Sequence, residues 1–234
     1  MMSKYEDEIF INKYVGLWAY GYYNGFCGCE AVYRIVKELA IEEYSKFENL
    51  SILDIGTGVG RTAGDLSQYF VNSDVLGIDN STLSLRVANS ILKNRDLVSL
   101  KIDLSSEGFD CIKIPTNDIN NLTFLRTDFE ELDKSSFNII TAVNFIDRCK
   151  DPEYVLDKIY SMLKPNAFFI GALPFNFSTK KNWRTIGTSH DFLNLLKNKF
   201  EIITYLQEVN YREILDGRGN YNEFKVDIFK VKRL

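Results

Sequence analysis

Short apolar runs alternate along the chain with stretches in which apolar residues recur every three or four positions. The runs predict buried strands, and the spaced positions predict helices that lay one face on a sheet. The predicted strands of this alternating part lie at 52–55, 75–78, 122–126, 137–143 and 167–173. The predicted helices lie at 30–44, 61–70, 81–94, 152–163 and 189–198. Such an alternation is typical of an α/β fold with a mainly parallel sheet.

Two stretches depart from this alternation. Residues 97–121 hold two strand-like segments around a turn-forming Ser-Ser-Glu-Gly, and we interpret them as an inserted β-hairpin. Two later apolar segments are expected to pair antiparallel, joined by a polar stretch. These two segments lie at 200–206 and 224–231, and the polar stretch lies at 211–222. No repeat or low-complexity segment divides the chain, so we expect one domain across 1–234.

Aromatic residues are concentrated in residues 1–49, before the first strand of the sheet. They are Tyr5, Phe10, Tyr14, Trp18, Tyr20, Tyr22, Tyr23 and Phe26. One hypothesis makes this segment a lid that excludes water from a ligand-binding cleft. The other makes the same rings ordinary core that covers the sheet. The sequence leaves both hypotheses open.

Charge and cysteine content narrow the classes of partner. The 234-residue chain is 45% hydrophobic and 26% charged, with a net charge of −4. We expect no nucleic-acid partner, because binding to phosphates needs a clustered positive surface. We expect no metal site, because the four cysteines lack metal-ligand spacing. Without a signal peptide or a long apolar span, the sequence predicts a cytoplasmic protein and no membrane partner.

The strongest chemical signal is a glycine-rich stretch between the first strand and the following helix. It reads Asp54-x-Gly56-x-Gly58-x-Gly60. Glycines at these positions allow a sharp strand-to-helix turn and a close approach of the backbone to a ligand. The carboxylate before the glycines fits a ligand with a cationic amino-acid end better than one with a pyrophosphate.

Two later strands end in residues suited to a nucleoside. One ends in Asp79, about 20 residues after the glycines, where a carboxylate holds ribose hydroxyls. Another is followed by Asp128 and Phe129, suited to the amino group and the ring face of adenine. S-adenosyl-L-methionine combines adenine, ribose and a cationic amino-acid end, and we expect it as the cofactor.

From the glycine motif onward, over roughly residues 52–234, the chain resembles the class I S-adenosylmethionine-dependent methyltransferases. The resemblance implies a Rossmann-like α/β fold with a mostly parallel seven-stranded sheet and an antiparallel last strand, here with an inserted hairpin. It also implies S-adenosyl-L-homocysteine as the product. The expected cofactor-binding residues are Asp54, Gly56, Thr57, Gly58, Gly60, Arg61, Asp79, Asn80, Asp128, Phe129 and Asn144.

The methyl acceptor is expected beyond the fourth strand, where the sequence reads Asn144-Phe-Ile-Asp147-Arg148. The Asn/Asp-Pro-Pro-Tyr/Phe motif of enzymes that methylate nucleobase amines is missing there. A neutral imidazole offers a lone pair near pH 7, and a carboxylate that accepts its other N–H stabilises the developing imidazolium. Asp147 fits that role, with Asn144 orienting the ring. A structural ion pair of Asp147 with Arg148, and a strand-end cap at Asn144, explain the same residues equally well.

This segment, with Leu-Lys-Pro at 163–165 and Leu-Pro-Phe at 173–175, resembles two groups of methyltransferases. They are the protein-histidine methyltransferases with an Asn-x-x-Asp-Arg signature and the mercaptohistidine N-methyltransferases of ovothiol biosynthesis. Both methylate an imidazole nitrogen. The resemblance implies Asn144 and Asp147 as catalytic residues. It implies substrate contacts by Asn144, Asp147, Tyr22, Tyr211, Arg212 and Arg218.

An arginine of that set, Arg212 or Arg218, is a candidate for bidentate binding of a substrate carboxylate, and a solvated loop arginine is the alternative for each. The leading hypothesis is N-methylation of the imidazole of a histidine-derived small molecule. The alternatives are a histidine in a peptide or protein, and an oxygen or amine of another small metabolite. A cofactor-binding protein without catalysis is a minor alternative. The oligomeric state is not predicted.

Overall fold

The computed structural model describes residues 4–23, 25, 27–94, 98–104, 108–114, 117–133, 135–175 and 188–234. Within these ranges the helices are α1 (Glu8–Lys13), α2 (Glu30–Ile41), α3 (Arg61–Tyr69), α4 (Thr82–Leu92), α5 (Pro152–Met162) and α6 (Ser189–Lys197). The strands are β1 (Ser51–Ile55), β2 (Asp74–Asp79), β3 (Val98–Asp103), β4 (Phe109–Ile114), β5 (Leu122–Arg126), β6 (Phe137–Val143), β7 (Leu163–Leu173), β8 (Glu201–Ile214) and β9 (Tyr221–Lys232). A π-helical segment, Tyr14–Ala19, continues α1.

One sheet holds seven strands in the order β5-β2-β1-β6-β7-β9-β8. β1 pairs in parallel with β2 and β6, β2 pairs in parallel with β5, and β6 pairs in parallel with β7. β9 is antiparallel to both of its neighbours, β7 and β8. The predicted mostly parallel sheet with an antiparallel last strand is therefore confirmed. The carboxyl ends of β1, β2, β5 and β6 meet at one edge of this sheet, where α/β folds bind ligands.

Apolar side chains cover both faces of the sheet. In β1, Ile52 belongs to the core that includes residues of α2, α3 and α4, whereas Leu53 and Ile55 belong to the core that includes residues of α5 and α6. All three side chains are completely buried, which explains the continuous apolar run in the sequence. Among the described helices, none has the length and apolarity needed to cross a bilayer.

Two predicted boundaries are wrong by four residues or more. The helix predicted to reach residue 163 ends at Met162, and β7 begins at once, four residues earlier than predicted. A register shift in the pairing of β6 with β7 and a left-handed Asn166, with φ 64°, allow the strand to begin before its apolar run. β8 extends to Ile214 instead of 206, so the connection to β9 covers only residues 215–220. Beyond Leu206 the exposed positions of this edge strand are all polar, and this part of its sequence therefore resembles a loop.

The predicted inserted hairpin is confirmed in its strands, because β3 and β4 form a separate antiparallel pair. Residues 105–107 of its predicted turn lie outside the described residues. The side-chain amide of Asn12 in α1 donates to the Lys101 carbonyl at 3.1 Å. Ile102 is completely buried against Gly16, where a Cβ would lie 2.1 Å from the Ile102 Cδ1. The insertion thus packs on the N-terminal segment.

The N-terminal segment is also joined to the end of β8. The Arg212 N–H donates to the Gly28 carbonyl at 2.8 Å. The Trp18 indole N–H donates to the Ile214 carbonyl at 2.9 Å. A Cβ added to Gly28 would lie 1.8 Å from the Arg212 carbonyl oxygen. Position 28 therefore has no room for a side chain.

We predict that Gly28→Ala lowers the free energy of unfolding by about 3 kcal/mol, the upper end of the cost of overpacking, because backbone must move to admit the methyl group. Urea denaturation followed by tryptophan fluorescence measures this loss. Gly25→Ala is the control, since a Cβ there meets nothing within 4 Å. The control carries only the cost of its positive φ, roughly 1 kcal/mol. Equal losses in the two variants would contradict the proposed contact.

Candidate active site

The turn after β1 is built from three glycines with left-handed backbones. Their φ angles are 66° at Gly56, 54° at Gly58 and 81° at Gly60. A Cβ at Gly56 would lie 2.7 Å from the Phe145 ring, and one at Gly60 would lie 2.8 Å from the side chain of Leu92. At Gly58 the nearest atom would be 3.9 Å away. Packing thus excludes a side chain at Gly56 and Gly60, whereas Gly58 is free of close contacts and, like Gly56, lines the cavity described next.

A cavity of about 860 Å³ lies at the carboxyl ends of the parallel strands. Its volume is in the upper part of the range of roughly 300–1,000 Å³ that small-molecule sites occupy. Seven of the eleven residues predicted to bind the cofactor line this cavity. They are Gly56, Gly58, Asp79, Asn80, Asp128, Phe129 and Asn144. The end of the cavity formed by the first six residues is called the donor end below.

Asp79 is held at the end of β2 by two backbone donors. Its carboxylate accepts the Gly58 N–H at 2.9 Å and the Ser81 N–H at 2.8 Å. Burial raises the pKa of Asp79, and these hydrogen bonds oppose the rise. Because a carboxylate has about four acceptor positions, acceptor capacity is left for a ligand.

The ends of β2 and β5 are joined at the donor end. The Asn80 side-chain amide donates to the Asp128 carboxylate at 2.8 Å. The neighbouring Phe129 is buried, with the Phe145 ring edge-on at 6.1 Å between centroids. These contacts give the donor end a polar rim and an apolar floor.

Four residues predicted to bind the cofactor are not among those that line the cavity: Asp54, Thr57, Gly60 and Arg61. Asp54 is buried below the glycine turn and accepts the Thr141 hydroxyl at 2.7 Å. Arg61 donates to Asp65 at 2.9 Å and to Glu30 at 3.0 Å, which joins α3 to the N-terminal segment. Asp54 and Arg61 therefore stabilise the surroundings of the glycine turn from outside the cavity.

Asn144 and Asp147 follow β6 and line the same cavity. Asn144 has a left-handed backbone, with φ 53°, and its N–H donates to the Ala172 carbonyl at 2.8 Å. Its side-chain oxygen is buried and has no hydrogen-bond partner among the described residues. Asp147 lies on a 3-10 turn, Ile146–Arg148, and is only 4% exposed. The end of the cavity at Asn144 and Asp147 is called the acceptor end.

The residues predicted to contact the substrate divide into two sets. Tyr211 lines the cavity with Asn144 and Asp147, whereas Tyr22, Arg212 and Arg218 do not. Arg212 pairs with Glu223 at 3.1 Å on the other face of β8, as expected for the residue next to Tyr211 in a strand.

Tyr22 and Arg218 lie elsewhere. Tyr22 stacks on Tyr20 at 5.2 Å, and Arg61 and Asp65 influence its pKa, which burial raises. Arg218 is exposed in the connection between β8 and β9.

The N-terminal aromatic segment contributes a wall of the cavity through Tyr5, Phe10, Tyr14 and Trp18. Phe26 lies outside the described residues. Whether this wall moves stays a prediction. Burial raises the pKa of Tyr5; the Arg148 cation opposes the rise and the Asp147 carboxylate adds to it, so these groups lie close together.

Sequence reasoning missed Lys4 and Glu213, which also line the cavity. The signal for Glu213 was its position two residues after Tyr211, which places both on one face of a strand. No comparable signal marks Lys4. In the described ranges, no group of three or more His, Cys, Asp or Glu side chains is arranged to hold a metal ion.

Comparisons with known proteins agree with this geometry. Residues 29–222 match the sequence profile of a family described as a methyltransferase domain. EEF1A lysine methyltransferase 2 of Danio rerio is 28% identical over 185 residues, 79% of this chain and 68% of that protein.

Solved structures share the fold. The N-methyltransferase NodS of Bradyrhizobium japonicum WM9 superposes with a TM-score of 0.56 at 11% identity, over 87% of this chain and 95% of that one. A SAM-dependent methyltransferase of Aquifex aeolicus gives 0.54 at 14% identity, over 85% and 89% of the two chains.

The buried Asp54 generates a prediction about stability and pH. Burial raises its pKa to about 6 from an ordinary 3.8, although the Thr141 hydrogen bond opposes the rise. The folded state then binds more protons than the unfolded state between these two values, so this group lowers stability as pH rises from 4 to 6. Asp54→Asn should remove that loss. Its free energy of unfolding relative to wild type should rise from pH 4 to pH 7 by an amount on the order of 1–3 kcal/mol.

Urea denaturation at the two pH values measures this difference. Asp74→Asn, at the exposed start of β2, is the control for removal of a carboxylate without burial. A stability difference between the Asp54 variant and wild type that is the same at both pH values would contradict the prediction.

Proposed function

The chain belongs to the methyltransferase domain family and is an S-adenosylmethionine-dependent methyltransferase, and we propose that it methylates an imidazole nitrogen of a histidine-derived small molecule. The observation that carries the proposal is one cavity with two ends. Gly58 and Asp79 lie at the donor end, and Asn144 and Asp147 lie at the acceptor end. The resemblance to histidine methyltransferases supplies the acceptor class and stays a prediction.

The donor end fits S-adenosylmethionine in its chemistry. Gly58 leaves space for close approach of a ligand to the backbone, and Asp79 retains acceptor positions suited to ribose hydroxyls. Phe129 offers an apolar surface for adenine, and Asp128 beside it offers acceptors for the amino group. The buried, unpartnered oxygen of Asn144 suits an N–H donor of a ligand, because an unmet buried acceptor is costly. When bound, the cofactor supplies an electrophilic methyl group on a sulfonium.

At the acceptor end, the chain has one buried carboxylate to manage a proton. Asp147 is positioned to accept the N–H of a bound imidazole, which leaves the other ring nitrogen with its lone pair free. As that nitrogen gains a substituent, the ring becomes cationic and the carboxylate stabilises it. Asn144 and the aromatic N-terminal wall orient the ring and exclude water.

An aliphatic amine is the second candidate acceptor. The Lys4 ammonium lies 4.8 Å from the centre of the Phe10 ring and 5.3 Å from that of Tyr5, both in the cavity wall. This wall thus accommodates an aliphatic cation. The relative at 28% identity is a lysine methyltransferase by name, which also favours an amine.

We predict that Asp79→Ala weakens binding of S-adenosylhomocysteine by about tenfold or more, because the ribose loses a charged acceptor. Isothermal titration calorimetry measures the change. Asp74→Ala, at the other end of β2, is the matched control and should bind like wild type. Unchanged affinity of the Asp79 variant would remove the ribose role.

We predict that Asp147→Asn lowers the turnover number by about 10²-fold or more while affinity for S-adenosylhomocysteine stays unchanged, because the amide no longer stabilises the imidazolium. Transfer from methyl-labelled cofactor to histamine, L-histidine and Nα-acetyl-lysine measures turnover, and NMR of the products locates the methyl group. Asp151→Asn is the control, since asparagine also caps α5.

Full activity of the Asp147 variant would exclude this residue from the mechanism. A methyl group only on the side-chain amine of lysine or histamine would favour the second candidate. Label transfer to a phenol or a carboxylate, with none to these three compounds, would overturn both.

A further inference from the structure

A second carboxylate, that of Glu213, lines the acceptor end of the cavity. It forms no hydrogen bond or ion pair with any residue that the structure describes. The side chain is half-buried, so water satisfies it only in part. A carboxylate in such a place is suited to a ligand with an N–H donor or a positive charge.

The backbone on both sides of Glu213 is fixed. The Arg212 N–H donates to the Gly28 carbonyl at 2.8 Å, and the Ile214 carbonyl accepts the Trp18 indole N–H at 2.9 Å. Tyr211 lies on the same face of β8 and stacks on Phe224 at 5.2 Å. Glu213 therefore faces the cavity from a strand whose backbone is held by hydrogen bonds. A residue that recognises a ligand needs such a fixed position.

The Lys4 ammonium, which also lines the cavity, shows how a ligand's positive charge could be placed near Glu213. Burial and the Arg148 cation lower the pKa of Lys4, and the Glu213 and Asp147 carboxylates oppose this. Lys4 thus lies in the field of both acids and over the rings of Tyr5 and Phe10.

The other cations of the cavity wall are Arg148 and Lys150. The Arg148 guanidinium donates to the Asn144 carbonyl at 3.0 Å and lies over the Tyr5 ring. Lys150 is exposed to solvent. The two arginines predicted to bind a substrate carboxylate, Arg212 and Arg218, do not line the cavity.

We propose that Glu213 is a specificity-determining residue that selects a methyl acceptor carrying a positive charge apart from the reacting nitrogen, and that the Lys4 ammonium competes with this charge. The proposal rests on the proposed function for the location of the acceptor. The proposal adds that the charge recognised on the acceptor is positive, which methyl transfer to an imidazole does not by itself require. An acceptor whose side arm is cationic displaces the Lys4 ammonium. An acceptor whose side arm is anionic is repelled by the carboxylates of Asp147 and Glu213.

Three imidazoles that differ in the charge of the substituent at C4 test the sign of the recognised charge. Histamine carries an ammonium arm, 4-methylimidazole carries none, and imidazole-4-acetate carries a carboxylate. Calorimetry with the full chain saturated with S-adenosylhomocysteine measures binding without requiring turnover. Wild type should bind histamine tightest and imidazole-4-acetate weakest, with about tenfold or more between these two.

Variants then assign the preference to the side chain. Glu213→Gln should weaken histamine binding by about tenfold or more and change 4-methylimidazole binding by less than about twofold, because only the charged contact is lost. Glu213→Asp should restore part of it. Lys4→Met should tighten histamine binding. Glu223→Gln, on the outer face of the neighbouring strand, is the matched control and should change neither.

Binding of histamine no tighter than of imidazole-4-acetate overturns the proposal, as does equal loss of all three ligands in Glu213→Gln while the control keeps them. If either of these results came with methyl transfer to imidazole-4-acetate, the role of Glu213 would be wrong but the proposed imidazole methylation would still hold. Tight binding of histamine that depends on Glu213, without methylation of its ring, would keep the charge preference and overturn the imidazole acceptor.

Discussion

The parallel register of β1 between β2 and β6 determines where the candidate site lies. Asp54 lies opposite Gly77 of β2 and Thr141 of β6, so the turns that follow these strands begin at one level. This level is what allows the Gly58 N–H to reach the carboxylate of Asp79. A slip of one residue would turn every side chain of β1 to the other face of the sheet. The glycine turn and its acid would then separate, and the donor end would be lost with the core packing.

The acceptor end depends on a different constraint, because the parallel strands supply only part of its wall. The rest comes from the N-terminal segment and from β8, which are far apart in the sequence. The bond from the Trp18 indole to the Ile214 carbonyl joins positions 196 residues apart. The bond from the Arg212 N–H to Gly28 lies beside it, where no side chain fits. Stability of the edge strand and shape of the acceptor end are therefore set by the same contacts.

Features with a local physical cause were predictable from sequence. The parallel strands are short apolar runs, the glycine turn needs left-handed backbones, and α5 begins with a capping aspartate and a proline. Features that depend on the direction of a side chain were not. Asp54 lies within β1, so its side chain lies on a face of the sheet below the turn. Tyr211 and Arg212 differ in the same way, because adjacent residues of a strand face opposite sides. The length of β8 was missed because its exposed positions beyond Leu206 are as polar as those of a loop.

The phase of β8 decides which sign of charge the acceptor end presents. A bulge at Glu208, with φ 55°, inserts one extra residue into β8 relative to β9. The Asp227 carboxylate accepts the Glu208 N–H at 3.0 Å, which helps to offset the cost of this left-handed backbone. Beyond the bulge, Glu213 faces the cavity and Arg212 faces away. If the register of Leu206 with Ile228 continued without the bulge, Arg212 instead of Glu213 would lie opposite Asn222, and an arginine would occupy the wall in place of a carboxylate. The register of β8 at this bulge, the second of its two shifts against β9, thus decides which charge the acceptor meets.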